Sequence, residues 1–240
     1  MHACDGVATV LWRPENVGLY KGSSAIGAIV FRKRGFGSLV RNLPPITAQA
    51  ASCNPLRNGV QCRKKDWMCM CMLMIPDITL ADEICAYRRA FLCSGESMDG
   101  TGGLQRHENP ADWIEENKRC TSWDTVPKGW VPATQFVCVR DGKIVGMIQV
   151  RHELSDYLAQ FGGHIGYSVH PAERRKGYAS QMLHDVLPYC RQIGLEKVLV
   201  TCNADNEGSR RAILKNGGVY EGAVREPGED TDIERYWITL

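Results

Sequence analysis

The sequence predicts a mixed α/β layered fold, and three observations carry the prediction. Apolar runs of strand length alternate with stretches whose apolar residues recur at helical spacing. Asp141-Gly142 separates two apolar runs, which is a strong short-range hairpin signal. A third apolar run, Ile165 to Val169, leads through a basic turn into a long helical pattern that begins near Lys176.

The elements follow in order from residue 72. Met72 to Ile75 reads as a short strand. Leu80, Ile84, Tyr87, Ala90 and Phe91 keep helical spacing over Leu80 to Leu92, with Asp77 or Thr79 as cap. A polar, Gly-rich loop runs from Ser94 to Asn109, and Pro110 opens a second helix through Trp113, Ile114 and Asn117. Gln135 to Val139 and Ile144 to Val150 are the hairpin strands. Leu154 to Gln160 suggests a short helical turn, and His164 to Val169 a further strand. Lys176 to Ile193 is a helix ended by Gly194, with Pro188 expected to kink or divide it. Lys197 to Cys202 reads as a strand with the apolar run Val198 to Val200 at its centre, as a central strand requires. Glu207 to Asn216 is a short helix closed by Gly217-Gly218. Val219 to Glu221 and Ile233 to Leu240 are final strands, set apart by the acidic turn Glu226 to Asp232.

Residues 1–72 lack this regularity, because Gly, Pro, Ser and Asn interrupt each apolar run. They hold ten Lys/Arg and three Asp/Glu, a charge of +7, which leaves −5 for residues 73–240 within a whole-chain net charge of +2. We expect two units: an N-terminal extension, disordered, targeting or translated upstream of an internal start such as Met72 or Met74, and a folded domain at 73–240. No apolar run reaches the roughly 18 residues of a membrane span, so no membrane partner is expected.

The chain has 11 cysteines, an odd number in a sequence long enough to bury a core without staples. Cys85, Cys93, Cys138, Cys190 and Cys202 lie in apolar patterns, where reduced thiols pack as small hydrophobes. That points to a cytoplasmic protein. Cys53, Cys62, Cys69 and Cys71 lack paired Cys-x-x-Cys spacing, so no metal is expected.

The turn Val169-His170-Pro171-Ala172-Glu173-Arg174-Arg175-Lys176-Gly177-Tyr178-Ala179 carries the chemistry. A helix start leaves backbone N–H groups without partners at the positive end of the dipole. Small residues at Gly177 and Ala179 let an anion approach those donors, and a pyrophosphate is the natural ligand. A helix N-terminus with a solvated basic turn is the alternative reading.

Arg174-Arg175-Lys176-Gly177-Tyr178-Ala179 resembles the Gln/Arg-x-x-Gly-x-Gly/Ala motif of the GNAT superfamily of N-acetyltransferases. Asn206-Glu207-Gly208-Ser209 resembles the family's Asn-x-x-Ser/Ala helix start. Phe161 to Val169 is similar to a bacterial subgroup of uncharacterised members, and the likeness spans about residues 74–240. It implies a mixed, mostly antiparallel twisted sheet with helices on both faces, and acetyl-CoA as donor. Tyr167, Val169, Arg174, Arg175, Lys176, Gly177, Tyr178, Ala179, Ser180, Asn206 and Ser209 would bind it, with the Val169 N–H polarising the thioester carbonyl. His164 is the candidate base, with Glu153 and His152 behind it. Many members carry Tyr seven residues after the motif Asn. Here Ile213 stands there, which shifts the role of thiolate acid to Tyr236, Tyr220 or water.

Met98, Asp99 and Tyr157 are the candidate acceptor-binding residues, supplying a carboxylate and an aromatic face for a cationic amine. The expected acceptor is a small-molecule primary amine. A protein or peptide amine and a non-catalytic acyl-CoA-binding module are the alternatives. The basic clusters Arg32 to Arg34 and Arg63 to Lys65 lack aromatic interleaving, so nucleic acid is not an expected partner. Ile233 to Leu240 offers a strand for pairing in a homodimer.

Overall fold

The structure, a computed structural model, describes residues 71–240. The basic clusters and most of the cysteines grouped near the N-terminus lie outside the described residues. The elements are β1 (Met72–Met74), α1 (Ala81–Ser94), α2 (Pro110–Arg119), β2 (Ala133–Arg140), β3 (Lys143–Arg151), β4 (Ile165–Val169), α3 (Tyr178–Gln192), β5 (Lys197–Asn203), α4 (Glu207–Lys215), β6 (Val219–Arg225) and β7 (Asp232–Thr239). Their order is the expected one.

Seven strands form one sheet in the order β1-β2-β3-β4-β5-β7-β6. Neighbours run antiparallel except β4 and β5, which are parallel. The β2–β3 turn has left-handed Asp141 and Gly142, at φ 50° and 76°, as the Asp-Gly signal predicts. β5 is interior and its middle residues Val198, Leu199 and Val200 are fully buried.

Alternation along the strands makes two cores, one on each face. Ile84, Tyr87 and Phe91 of α1 and Trp113 and Ile114 of α2 cover Val137 and Met147. Met182, Leu183, Val186 and Cys190 of α3, with Ile213 of α4, cover Ile148, Val150, Val200 and Tyr236. Each fully buried aliphatic side chain contributes about 1.5–3 kcal/mol, so each layer holds its helices firmly.

Several expectations need correction. α3 runs unbroken through Pro188, so the proline does not divide it. The turn after β3 is a single π-helical turn, Leu158–Gly162. β7 is not a free strand for a dimer, because it pairs with β5 on one side and β6 on the other. Cys138 is not a free thiol: it is bonded to Cys71, a link across the β1–β2 pair with Cα atoms 5.8 Å apart. Cys93 is exposed, whereas Cys120, Cys190 and Cys202 are free and buried.

Candidate functional site

The basic turn is shaped by two left-handed residues. After β4, Pro171–Glu173 forms a single 3-10 turn, capped by His170 Nδ1 accepting from the Ala172 N–H at 3.3 Å. Arg175 then adopts φ 61° and Gly177 φ 88°, and α3 starts at Tyr178. No side chain caps that helix start, so its first N–H groups are left for an anion. A Cβ on Gly177 would meet nothing within 4 Å, so the approach to its backbone is open.

The three basic residues differ in what they face. Arg174 pairs with Glu96, and its guanidinium lies 5.8 Å from the Phe91 ring centre. Lys176 turns back onto Glu173, with 2.9 Å between Nζ and the carboxylate. Arg174, Arg175, Gly177, Ala179 and Ser180 line a cleft of about 2230 Å³. Tyr178 contributes backbone, since its ring is buried and its hydroxyl bonds Arg140.

The cleft continues along β4 to the splay from β5. The two strands pair at Ile165↔Val200, and no further register pair joins them among the described residues. The His170 N–H donates to Val145 O at 2.9 Å, which assigns the even-numbered residues of β4 to the β3 side. The N–H groups of Tyr167 and Val169 therefore point toward the splay. Tyr167 bridges it: its hydroxyl lies 2.8 Å from Ser209 Oγ at the start of α4. Asn206 Oδ1 accepts from the Ser209 N–H at 3.0 Å and so caps that helix. Burial raises the Tyr167 phenol well above its ordinary value, which keeps its proton in place at neutral pH.

The three candidate catalytic residues are used otherwise. His164 is buried, and its Nδ1 accepts from the Leu199 N–H at 2.9 Å while its own N–H donates to Leu199 O at 2.7 Å. Burial, with help from Arg151, pulls its pKa down to about 4. It fastens β4 to β5 and has no lone pair left for an acceptor. Tyr236 is buried in the α3 core and donates to Glu234 at 2.7 Å, and burial pushes it up to about 12. Glu153 accepts from Trp123 Nε1 at 3.2 Å on the exposed surface. None of the three lines the cleft. Cys202 does, but burial pushes its thiol up to about 11, so it is no nucleophile at neutral pH.

At the other end of the cleft the α1–α2 loop is pressed onto β4. A Cβ on Gly100 would stand 2.1 Å from Gly166 O, and Gln135 Nε2 donates to Gly100 O at 2.9 Å. This brings Asp99, held by Ser97 Oγ at 2.7 Å, to the cleft beside Tyr157. Met98 is mostly core, with 9% of its surface exposed. Tyr157 packs at a tilt against Phe161, with 5.4 Å between ring centres. Burial and then Glu226 push its phenol up to about 12. Arg151, which sequence reasoning missed, lines the same end. Its only sequence signal is a charge closing an apolar strand, which many solvated strand ends share.

The fold is that of an α/β family of acetyltransferases. Residues 104–217 match the acetyltransferase (GNAT) family. Over 63 residues the chain is 36% identical to YoaA of Bacillus subtilis, an uncharacterised N-acetyltransferase, covering 26% of this chain and 36% of that protein. Over 96 residues it is 27% identical to the ribosomal-protein-serine acetyltransferase of Escherichia coli, covering 39% and 51%. The matches thus span between a third and about half of those curated relatives. The microcin C7 self-immunity acetyltransferase MccE, solved with acetyl-CoA and AMP, shares the fold at TM-score 0.54 and 18% identity, covering 71% of this chain and 93% of that one. The described domain belongs to the GNAT family of acetyltransferases.

Proposed function

We propose that the protein is an N-acetyltransferase that moves the acetyl group of acetyl-CoA to a primary amine by direct attack, and that the acceptor is a small molecule. One observation carries the reading: a pair of left-handed residues leads into an uncapped helix start, beside two strands that part after one register pair. The open backbone at Gly177 and the donors that follow it fit a pyrophosphate.

Acetyl-CoA supplies the activated thioester. Backbone N–H groups from Arg175 to Ser180 hold its phosphates, with the charges of Arg174 and Arg175 beside them. The Val169 N–H polarises the carbonyl, as an oxyanion donor does. Asn206 and Ser209 shape the opposite wall through the α4 start. The residue for the thiolate acid is Tyr167. It lines the cleft at the splay with its hydroxyl oriented by Ser209, and it supplies a donor that the buried Ile213 lacks. The base role passes from His164 to water in the cleft, because holding the two reactants in line supplies much of the rate.

A protein amine is the second reading, favoured by the relative named for ribosomal-protein serine. An acyl-CoA-binding module without turnover is the third. Thiol release from acetyl-CoA over small amines and N-terminal peptides, with mass detection of acetylated product, separates them. Turnover of small amines supports the proposal. Turnover of peptides alone selects the second reading, and binding without thiol release selects the third. The free thiols of Cys120, Cys190 and Cys202 are in keeping with a cytoplasmic enzyme, while the Cys71–Cys138 bond points the other way. No helix among the described residues is long and apolar enough to cross a membrane.

A further inference from the structure

We propose that the acceptor amine also carries a carboxylate, and that Arg151 receives it through the Nε/Nη2 edge of its guanidinium. The inference rests on the N-acetyltransferase reading and names the substrate class of that site. Arg151 closes β3 on the face that carries Met147, under the α1–α2 layer, where it lines the acceptor end of the cleft. Its Nη1 donates to Gly162 O at 2.6 Å and to Gly163 O at 3.0 Å, which fixes the plane of the group. Among the described residues nothing bonds Nε or Nη2, and no carboxylate forms an ion pair with the side chain.

That leaves one edge of a pinned, planar cation, with two parallel N–H donors. It is the geometry that binds a carboxylate in bidentate fashion. Nη2 hangs over Gly166, 3.5 Å from where a Cβ would be, and Gly166 lies three residues before Val169 on the same strand. The fork therefore stands on the route between solvent and the reacting end of β4. Burial holds the Arg151 pKa below the ordinary guanidinium value, and Asp99 and then Tyr157 are the groups that oppose the shift. A recessed cation with an unused edge is costly unless an anion comes to it. Asp99 does not take that edge: one of its oxygens accepts from Ser97, and it is left to face the ammonium end of the acceptor.

The test is calorimetric and separate from turnover. CoA-loaded protein is titrated with 4-aminobutyrate, glutamate and the dipeptide Asp-Ala, each beside its carboxamide twin. We expect the carboxylate form of at least one probe to bind about tenfold or more tightly than its twin, the scale of one charge-assisted bidentate pair. Arg151→Gln abolishes that preference and leaves CoA affinity unchanged. Arg151→Lys keeps a charge and a donor for Gly162 and Gly163 but not the fork, so it remains folded and loses most of the preference. Equal binding of both twins by the wild type, binding of neither, or a preference that survives Arg151→Gln overturns the proposal. Preference among free amino acids or confined to the dipeptide distinguishes the two sources of the carboxylate. Thiol release measured alongside tests the parent reading: a carboxylate preference without thiol release sinks the transferase and keeps the fork.

Discussion

Tyr167, in β4, and His164, just before it, stand three residues apart and meet opposite fates. Tyr167 turns its hydroxyl to Ser209 across the splay, whereas His164 turns inward to the backbone of Leu199. Replacing Tyr167 by Phe removes the proton donor but keeps the ring. We expect kcat to fall about 10²-fold with little change in the KM for acetyl-CoA; an unaltered kcat in steady-state kinetics would return the role to water. For His164 the effect is on stability. Its folded pKa is about 4 against an unfolded value of 6.5, so the unfolded chain binds the proton more readily between them. The contribution is complete above pH 6.5 and is lost as pH falls toward 4, on the order of 3 kcal/mol in all. Melting curves of the wild type should therefore fall more steeply between pH 7 and 5 than those of His164→Asn; parallel slopes would contradict the assignment. Neither fate was legible in the sequence. A His at a strand start beside a recognised motif invites a catalytic role, and only the placement of β5 shows that its Nδ1 is taken. Tyr167 was legible as a site residue, but its partner lies 42 positions away.

The elements were legible where one periodicity persisted. α3 has a continuous apolar stripe, and the Asp-Gly hairpin has local turn chemistry, so both appeared at nearly the expected bounds. The π-helical turn at Leu158–Gly162 and the longer β6 were not, since tertiary contacts define them. Pro188 does not divide α3, because the packing of Met182, Leu183, Val186 and Cys190 on the sheet outweighs one lost hydrogen bond. The contact between the α1–α2 loop and β4 was equally hidden. Gly100 sits at φ 66° with a Cβ position 2.1 Å from Gly166 O, and the loop residues give no sign of that approach. Gly100→Ala forces the loop off the strand and strains its own backbone. We expect a loss of about 2–4 kcal/mol in chemical denaturation and a weakened acceptor site. A variant as stable as the wild type would mean that the loop is not seated there.

At the scale of the molecule, the sheet divides the labour. The proposal gives Asp99, Tyr157 and Arg151 to the acceptor and the uncapped α3 start to the phosphates, with the Asn206-capped α4 start as the opposite wall. The parting of β4 and β5 connects the two, and it falls at the one parallel pair in an otherwise antiparallel sheet. The helix start behind the cofactor proposal was legible, because a small-residue turn leading into an uncapped helix has a local signature. Of the residues proposed for the acceptor, Asp99 and Tyr157 were named from the sequence, whereas Arg151 was not, because only the fold brings the end of β3 beside them. The central claim is that the Arg174 to Ala179 turn grips acetyl-CoA. The direct measurement is calorimetric titration of acetyl-CoA into the wild type and Gly177→Asp, with circular dichroism to confirm folding. The account predicts saturable binding by the wild type and at least about a hundredfold loss in the variant, whose carboxylate would oppose the phosphates at the open left-handed position. Equal affinity in a folded Gly177→Asp would contradict it.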